Sequence, residues 1–108
     1  MVPKWYEYAQ KQLDKNEYIQ KTFEGKLDGN YGHLYITDHR LLFVKQEGFL
    51  RKSYEIILDL LKDNIKKIKQ ASSYELYVVD TSDREYIFAF KLDVSIIEQN
   101  IKEVLMVN

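Results

Sequence analysis

GHLYITDHRLLFV, residues 32–44, decides how this chain is read. Two runs of apolar, aromatic and β-branched residues, HLYIT and RLLFV, flank the polar pair Asp38-His39. Residues of that kind favour strands, and a two-residue break between two strands is the signature of a β-hairpin. A tight loop of that length usually needs positive φ at its centre, and Asp and His are among the few non-glycine residues enriched there. Asp38, His39 and Arg40 also invite a second reading, as a catalytic cluster. Against it, no nucleophile sits nearby in sequence, and neighbouring residues of a strand point to opposite faces. The turn accounts for the residue types without any chemistry, and Arg40 is expected to hold a local carboxylate or a carbonyl.

Outward from the hairpin the chain reads mainly as strands. YIQKTFEGKL, residues 18–27, alternates, with Ile19, Phe23 and Leu27 on one parity. Gly25 marks a bulge or bend there, and Asp28-Gly29-Asn30 a turn. Lys45 to Gly48 supply the next turn and RKSYEIIL, residues 51–58, the next strand. YELYVVD and EYIFAF, separated by Thr81 to Arg84, form a further hairpin, with Tyr86, Phe88 and Phe90 on one face. Residues 56–70 are ambiguous: Ile57, Leu60, Leu61, Asn64, Ile65 and Ile68 fit an amphipathic helix, but strand, helical turn and strand also fit.

Both ends carry helical patterns. In KWYEYAQKQL, residues 4–13, Trp5, Ala9 and Leu13 share one face. Near the other end Val94, Ile97, Ile101, Val104 and Leu105 make an apolar stripe, with Asp93 placed to cap the free N–H groups of the first turn.

Composition narrows the function classes. With 108 residues and no compositional break, one domain over residues 1–108 is expected. A net charge of -1 gives no reason to expect nucleic acid, which leaves a basic footprint. There are no cysteines, so disulfides, thiolate metal sites and a cysteine nucleophile are excluded. No signal-like or membrane-spanning apolar run is present, and a cytoplasmic location is expected, with a peripheral membrane position as the alternative. His33 and His39 lack ligand spacing for a metal, and GKLDGNYG is not followed by a helix as a phosphate loop would be. No cofactor is expected, and no enzyme: that would need a concave pocket of convergent titratable groups.

The hairpin resembles the G-x-L-Y-(I/L)-T-(N/D)-x-R-L-(I/L)-F stretch of bacterial pleckstrin-homology-like and GRAM domains. Gly32, Leu34, Tyr35, Ile36, Thr37, Asp38, Arg40, Leu41, Leu42 and Phe43 fall on that pattern. IKKIKQASSYELYVVDTSDREYIFAF looks like the later part of the same family, and the likeness covers roughly residues 17–107. It implies a mainly β, partly open antiparallel barrel of about seven strands over residues 17–90. The helix of 91–107 caps it, and a short helical extension, 1–16, precedes it. It also favours strand, turn and strand for 53–70.

The family comprises binding modules, some for phosphoinositides and some for peptides. FEGKLDGNYGH, where lipid-binding members carry basic residues, has only Lys26, opposed by Glu24 and Asp28. The first expectation is therefore a non-catalytic module for protein–protein contact or self-association. The alternative is peripheral binding of anionic lipid through Arg51, Lys52, Lys62, Lys66, Lys67 and Lys69. For those residues a solvated strand face is the plainer reading. Trp5, Tyr6 and Tyr8, outside the barrel pattern, either pack the leading helix onto the sheet or form an association surface.

Overall fold

The structure, a computed structural model, describes residues 1–107. A short helix α1 (Lys4–Gln10) leads into seven strands: β1 (Ile19–Leu27), β2 (Asn30–Thr37), β3 (Arg40–Glu47), β4 (Ser53–Leu61), β5 (Ile65–Gln70), β6 (Glu75–Asp80) and β7 (Glu85–Phe90). One 3-10 turn, Lys62–Asn64, joins β4 to β5, and helix α2 (Val94–Leu105) closes the chain. Residues 56–70 are thus strand, turn and strand, and the local helix signal is overridden by strand pairing on both sides of the turn.

All pairings are antiparallel, in the order β4-β3-β2-β1-β7-β6-β5. The two edge strands, β4 and β5, are consecutive in the chain. Laid flat, seven strands would put them about 29 Å apart at roughly 4.8 Å per step. The four residue steps from Leu61 to Ile65 reach at most about 14 Å. The sheet therefore curls until its edges meet at that turn, as a partly open barrel.

The concave face holds Leu34, Ile36, Leu41, Phe43, Leu58, Leu76, Val78 and Phe88. Helix α2 lies across it, and Val94, Ile97, Ile101 and Leu105 are all buried against it. Asp93 caps α2 by accepting from the Ser95 N–H at 2.9 Å. On the convex face a second cluster, Tyr35, Leu42 and Val44, lies under α1 through Ala9, Trp5, Tyr6 and Tyr8. Covered on both sides, β2 and β3 must be apolar at almost every position, which is why HLYIT and RLLFV do not alternate.

Three local expectations need correction. Neither Asp38 nor His39 has positive φ. The Thr37 hydroxyl closes that corner instead, accepting from the His39 and Arg40 N–H groups at 3.0 Å each. The mirror-image turn lies at Asp28-Gly29, with φ of 48° and 85°. The bulge in β1 falls at Gln20, between Ile19 and Lys21, not at Gly25. It turns Ile19 to the convex face while Phe23 and Leu27 face the core. Gly25 is needed for close approach: a Cβ there would lie 2.5 Å from Phe90 Cδ1 and 2.7 Å from the Ala89 carbonyl oxygen.

A buried ion pair holds the corner. Arg40 Nε and Nη2 donate to the two oxygens of Glu17 at 2.8 and 2.6 Å, and the Thr37 hydroxyl donates to the same carboxylate at 2.6 Å. The Asp14 N–H adds a fourth bond at 2.9 Å. Arg40 also reaches Asp59 on β4 at 3.1 Å and Asp14 at 3.1 Å. Burial alone would raise the Glu17 carboxyl. The hydrogen bonds from Arg40, Thr37 and Asp14, with the Arg40 charge, outweigh it and hold the group below its ordinary 4.5.

Ile101→Asp places an unpaired charge under the capping helix and is expected to cost about 3 kcal/mol or more, lowering Tm by at least about 10 °C. Circular dichroism melting checks it; an unchanged Tm would mean that α2 does not dock through its stripe. Arg40→Ala strands the Glu17 charge and is expected to cost about 3–5 kcal/mol. Asp14→Ala, removing an exposed partner, is expected to cost under about 1 kcal/mol. Because the Glu17 pKa is lower folded than unfolded, its contribution is present above about pH 4.5 and disappears as pH falls through the folded value. The gap in urea midpoint between the wild type and Glu17→Gln should accordingly shrink on acidification below pH 4.5.

Candidate functional site

The structure distributes the sequence-derived candidates unevenly. Arg40 is committed to the buried corner, its side chain 9% exposed. Asp38 and His39 lie in the turn rather than on the strand, so their side chains do meet: His39 Nδ1 stands 3.2 Å from Asp38 Oδ1, half exposed. His33 is across from Val44, not near His39. It is buried face to face against Trp5, ring centroids 3.9 Å apart and 6° from parallel. Burial pushes the His33 imidazole below its ordinary pKa, against the opposing influence of Glu24. Among the described residues, no group of three or more His, Asp or Glu is arranged to hold a metal.

Trp5, Tyr6 and Tyr8 are half-buried on the convex cluster. The Tyr35 hydroxyl donates to the Trp5 carbonyl at 2.8 Å, and Tyr8 packs on Tyr54 with centroids 5.4 Å apart. These contacts pack α1 onto the sheet.

The basic residues do not form one patch. Arg51 and Lys52 belong to the loop before β4, whereas Lys62 follows it. Nine strand residues separate them, about 30 Å at the usual rise. On β5, Lys66 is paired with Asp83, and Lys69 lies 5.3 Å from the Tyr77 ring centroid. Lys67 is exposed on the same strand.

The feature that sequence reasoning missed is a split in the sheet. β1 pairs with β2 from Ile19 to Leu27, but with β7 only from Gly25 to Leu27. After Phe90 the chain turns away through Lys91 and Leu92 toward α2. Residues 19–24 of β1 therefore have a strand on one side only. A groove of about 770 Å³ opens beside them, lined by Thr22, Phe23, Lys26, Phe90, Lys91 and Leu92 among others. Phe23 and Phe90 meet edge to face at its floor, centroids 6.5 Å apart.

Charge at the groove is asymmetric. Lys26 and Lys91 are exposed and make no ion pair among the described residues. Glu24, the carboxylate of the lining, is hydrogen-bonded by the Tyr31 hydroxyl, and that bond, with burial, pushes Tyr31 up to about 12. What the arrangement offers chemically is free backbone N–H and C=O groups, an aromatic floor and a cationic rim. The alternation of 18–27 was visible in sequence. That only half of β1 would find a second neighbour was not, because it depends on where β7 ends.

No family model matches the chain, and no curated protein matches it. Among solved structures it is similar to the C-terminal domain of an unknown protein from Leishmania infantum. The TM-score is 0.64 at 16% identity, over 96% of this chain and 94% of that one. At that identity the likeness extends to the fold alone.

Proposed function

We propose that this chain is a non-catalytic interaction module of pleckstrin-homology-like architecture, working in the cytoplasm, that holds an extended segment of a protein partner along the free half of β1. The observation that carries the reading is the unpaired edge of residues 19–24 beside the groove. An exposed strand edge is a template for another strand: backbone hydrogen bonds supply affinity, and pockets under alternate side chains supply selectivity. The aromatic floor would take an apolar side chain of the segment. Lys26 and Lys91 favour acidic residues in it. The titratable groups of the lining are the two rim lysines and a Tyr31–Glu24 pair already bonded to each other, which supports binding over catalysis.

A display library of short linear peptides, followed by amide mapping, tests this. Selected peptides should be acidic and apolar, and should slow hydrogen exchange within 19–24 while shifting resonances of 89–92. Lys26→Glu with Lys91→Glu should weaken such a peptide at least about tenfold with Tm unchanged, since both side chains are exposed. A library without binders, or binders that map elsewhere, would overturn the reading. Light scattering covers the remaining occupant: a concentration-dependent dimer protecting the same amides would put a second copy in the groove in place of a foreign segment.

A further inference from the structure

The loop between β3 and β4, Gly48 to Lys52, carries the least sheltered apolar pair of the described chain interior. Phe49 and Leu50 are each 90% exposed, and they are adjacent. The loop is constrained rather than slack. Gly48 has φ of 102°, and a Cβ on it would stand 1.9 Å from the Arg51 carbonyl oxygen. Lys52 Nζ donates back to the Gly48 carbonyl at 3.0 Å. The next two residues after the apolar pair are Arg51 and Lys52, both exposed and neither in an ion pair among the described residues. The nearby carboxylates, Glu47 and Glu55, stand 2.6 and 3.5 Å from Lys45, which offsets part of their charge.

We infer that this loop is a membrane-contacting tip: Phe49 and Leu50 enter the interfacial layer of an anionic bilayer while Arg51 and Lys52 meet the lipid phosphates. A convex tip of two side chains is far smaller than the twenty or more residues a stable protein interface engages on each side. A fluid interface needs no preformed pocket and accepts such a tip at shallow depth, with cations held at headgroup level. A second copy of the chain is a poor host, because its groove is rimmed by Lys26 and Lys91 and would repel Arg51 and Lys52. This inference stands apart from the groove and does not depend on it. It also reassigns the basic residues: Arg51 and Lys52 belong to the contact, and Lys62, Lys66, Lys67 and Lys69 do not.

Sedimentation with vesicles tests it, using phosphatidylcholine alone and phosphatidylcholine mixed with phosphatidylserine. The wild type should bind the mixed vesicles and scarcely the neutral ones. Phe49→Ser with Leu50→Ser should weaken that binding at least about tenfold. Arg51→Gln with Lys52→Gln should abolish the preference for anionic lipid, and added salt should weaken the wild type. Lys62→Gln with Lys66→Gln should change nothing. Phe49→Trp gives an independent readout: its emission, relative to the wild type, should move to shorter wavelength when mixed vesicles are added. Equal behaviour of the wild type on both vesicles, retained binding by the Phe49/Leu50 variant, or an equal loss from Lys62 and Lys66 would each overturn the inference.

Discussion

The pair between Arg40 and Glu17 is the constraint on which the arrangement of this molecule depends. A carboxylate whose side chain is fully buried is tolerable only when its lone pairs are filled, and four donors from three parts of the chain fill them. The same guanidinium reaches Asp59 on β4. One cation thus fixes the exit of α1, the corner between β2 and β3, and the partner strand of β3. The fork geometry of arginine matters here, because two parallel bonds to one carboxylate set orientation as well as distance. Asp14 and Asp59 are considerably more exposed, so their share is small and the energy is concentrated at Glu17.

With the corner fixed, topology dictates the rest. A three-residue link between β4 and β5 forces the edges of the sheet together, and the curl that results opens a mouth that only α2 can cover. The curl does not close evenly along every strand. β7 is six residues long and β1 nine, and their contact spans only the last three of β1. The split is therefore a consequence of stagger: Glu85 to Ile87 of β7 lie past the end of β1, only Phe88 to Phe90 pair with it, and β7 ends before it reaches residues 19–24. Gly25, where Phe90 lies against the backbone, marks the point at which pairing stops and divergence begins.

Much of this was legible in the residues, and the failures are instructive. The Val94–Leu105 stripe and its Asp93 cap could be read directly, because a helix end and an apolar face are local properties. The hairpin at 38–39 is located correctly but for the wrong reason: neither residue has positive φ, and Thr37, one position before the pair, satisfies the corner through its hydroxyl. Residues 56–70 fitted a helix because Ile57, Leu60, Leu61, Ile65 and Ile68 fall at helical spacing by accident of a strand bulge and a turn between them. Ile19 was assigned to the wrong face because a single extra residue at Gln20 inverts parity. The groove left no pattern, since free backbone edges have no side-chain signature. The loop at Phe49-Leu50 does carry one, two large apolar residues between a glycine turn and two cations.

The register sets how the two surfaces stand to one another. β2 runs antiparallel to both β1 and β3, pairing Gly32 with Gly25 on one side and with Lys45 on the other. Beyond that level lie the Asp28-Gly29 turn and the loop of Phe49 and Leu50, so both occupy one end of the sheet. The free residues of β1 run the opposite way, toward Thr37 and the buried corner. A bilayer engaged at Phe49 and Leu50 would therefore touch the end away from the open edge, and a strand laid along residues 19–24 would remain reachable from solution. Occupying one surface neither covers nor requires the other, so the two proposed contacts are geometrically compatible.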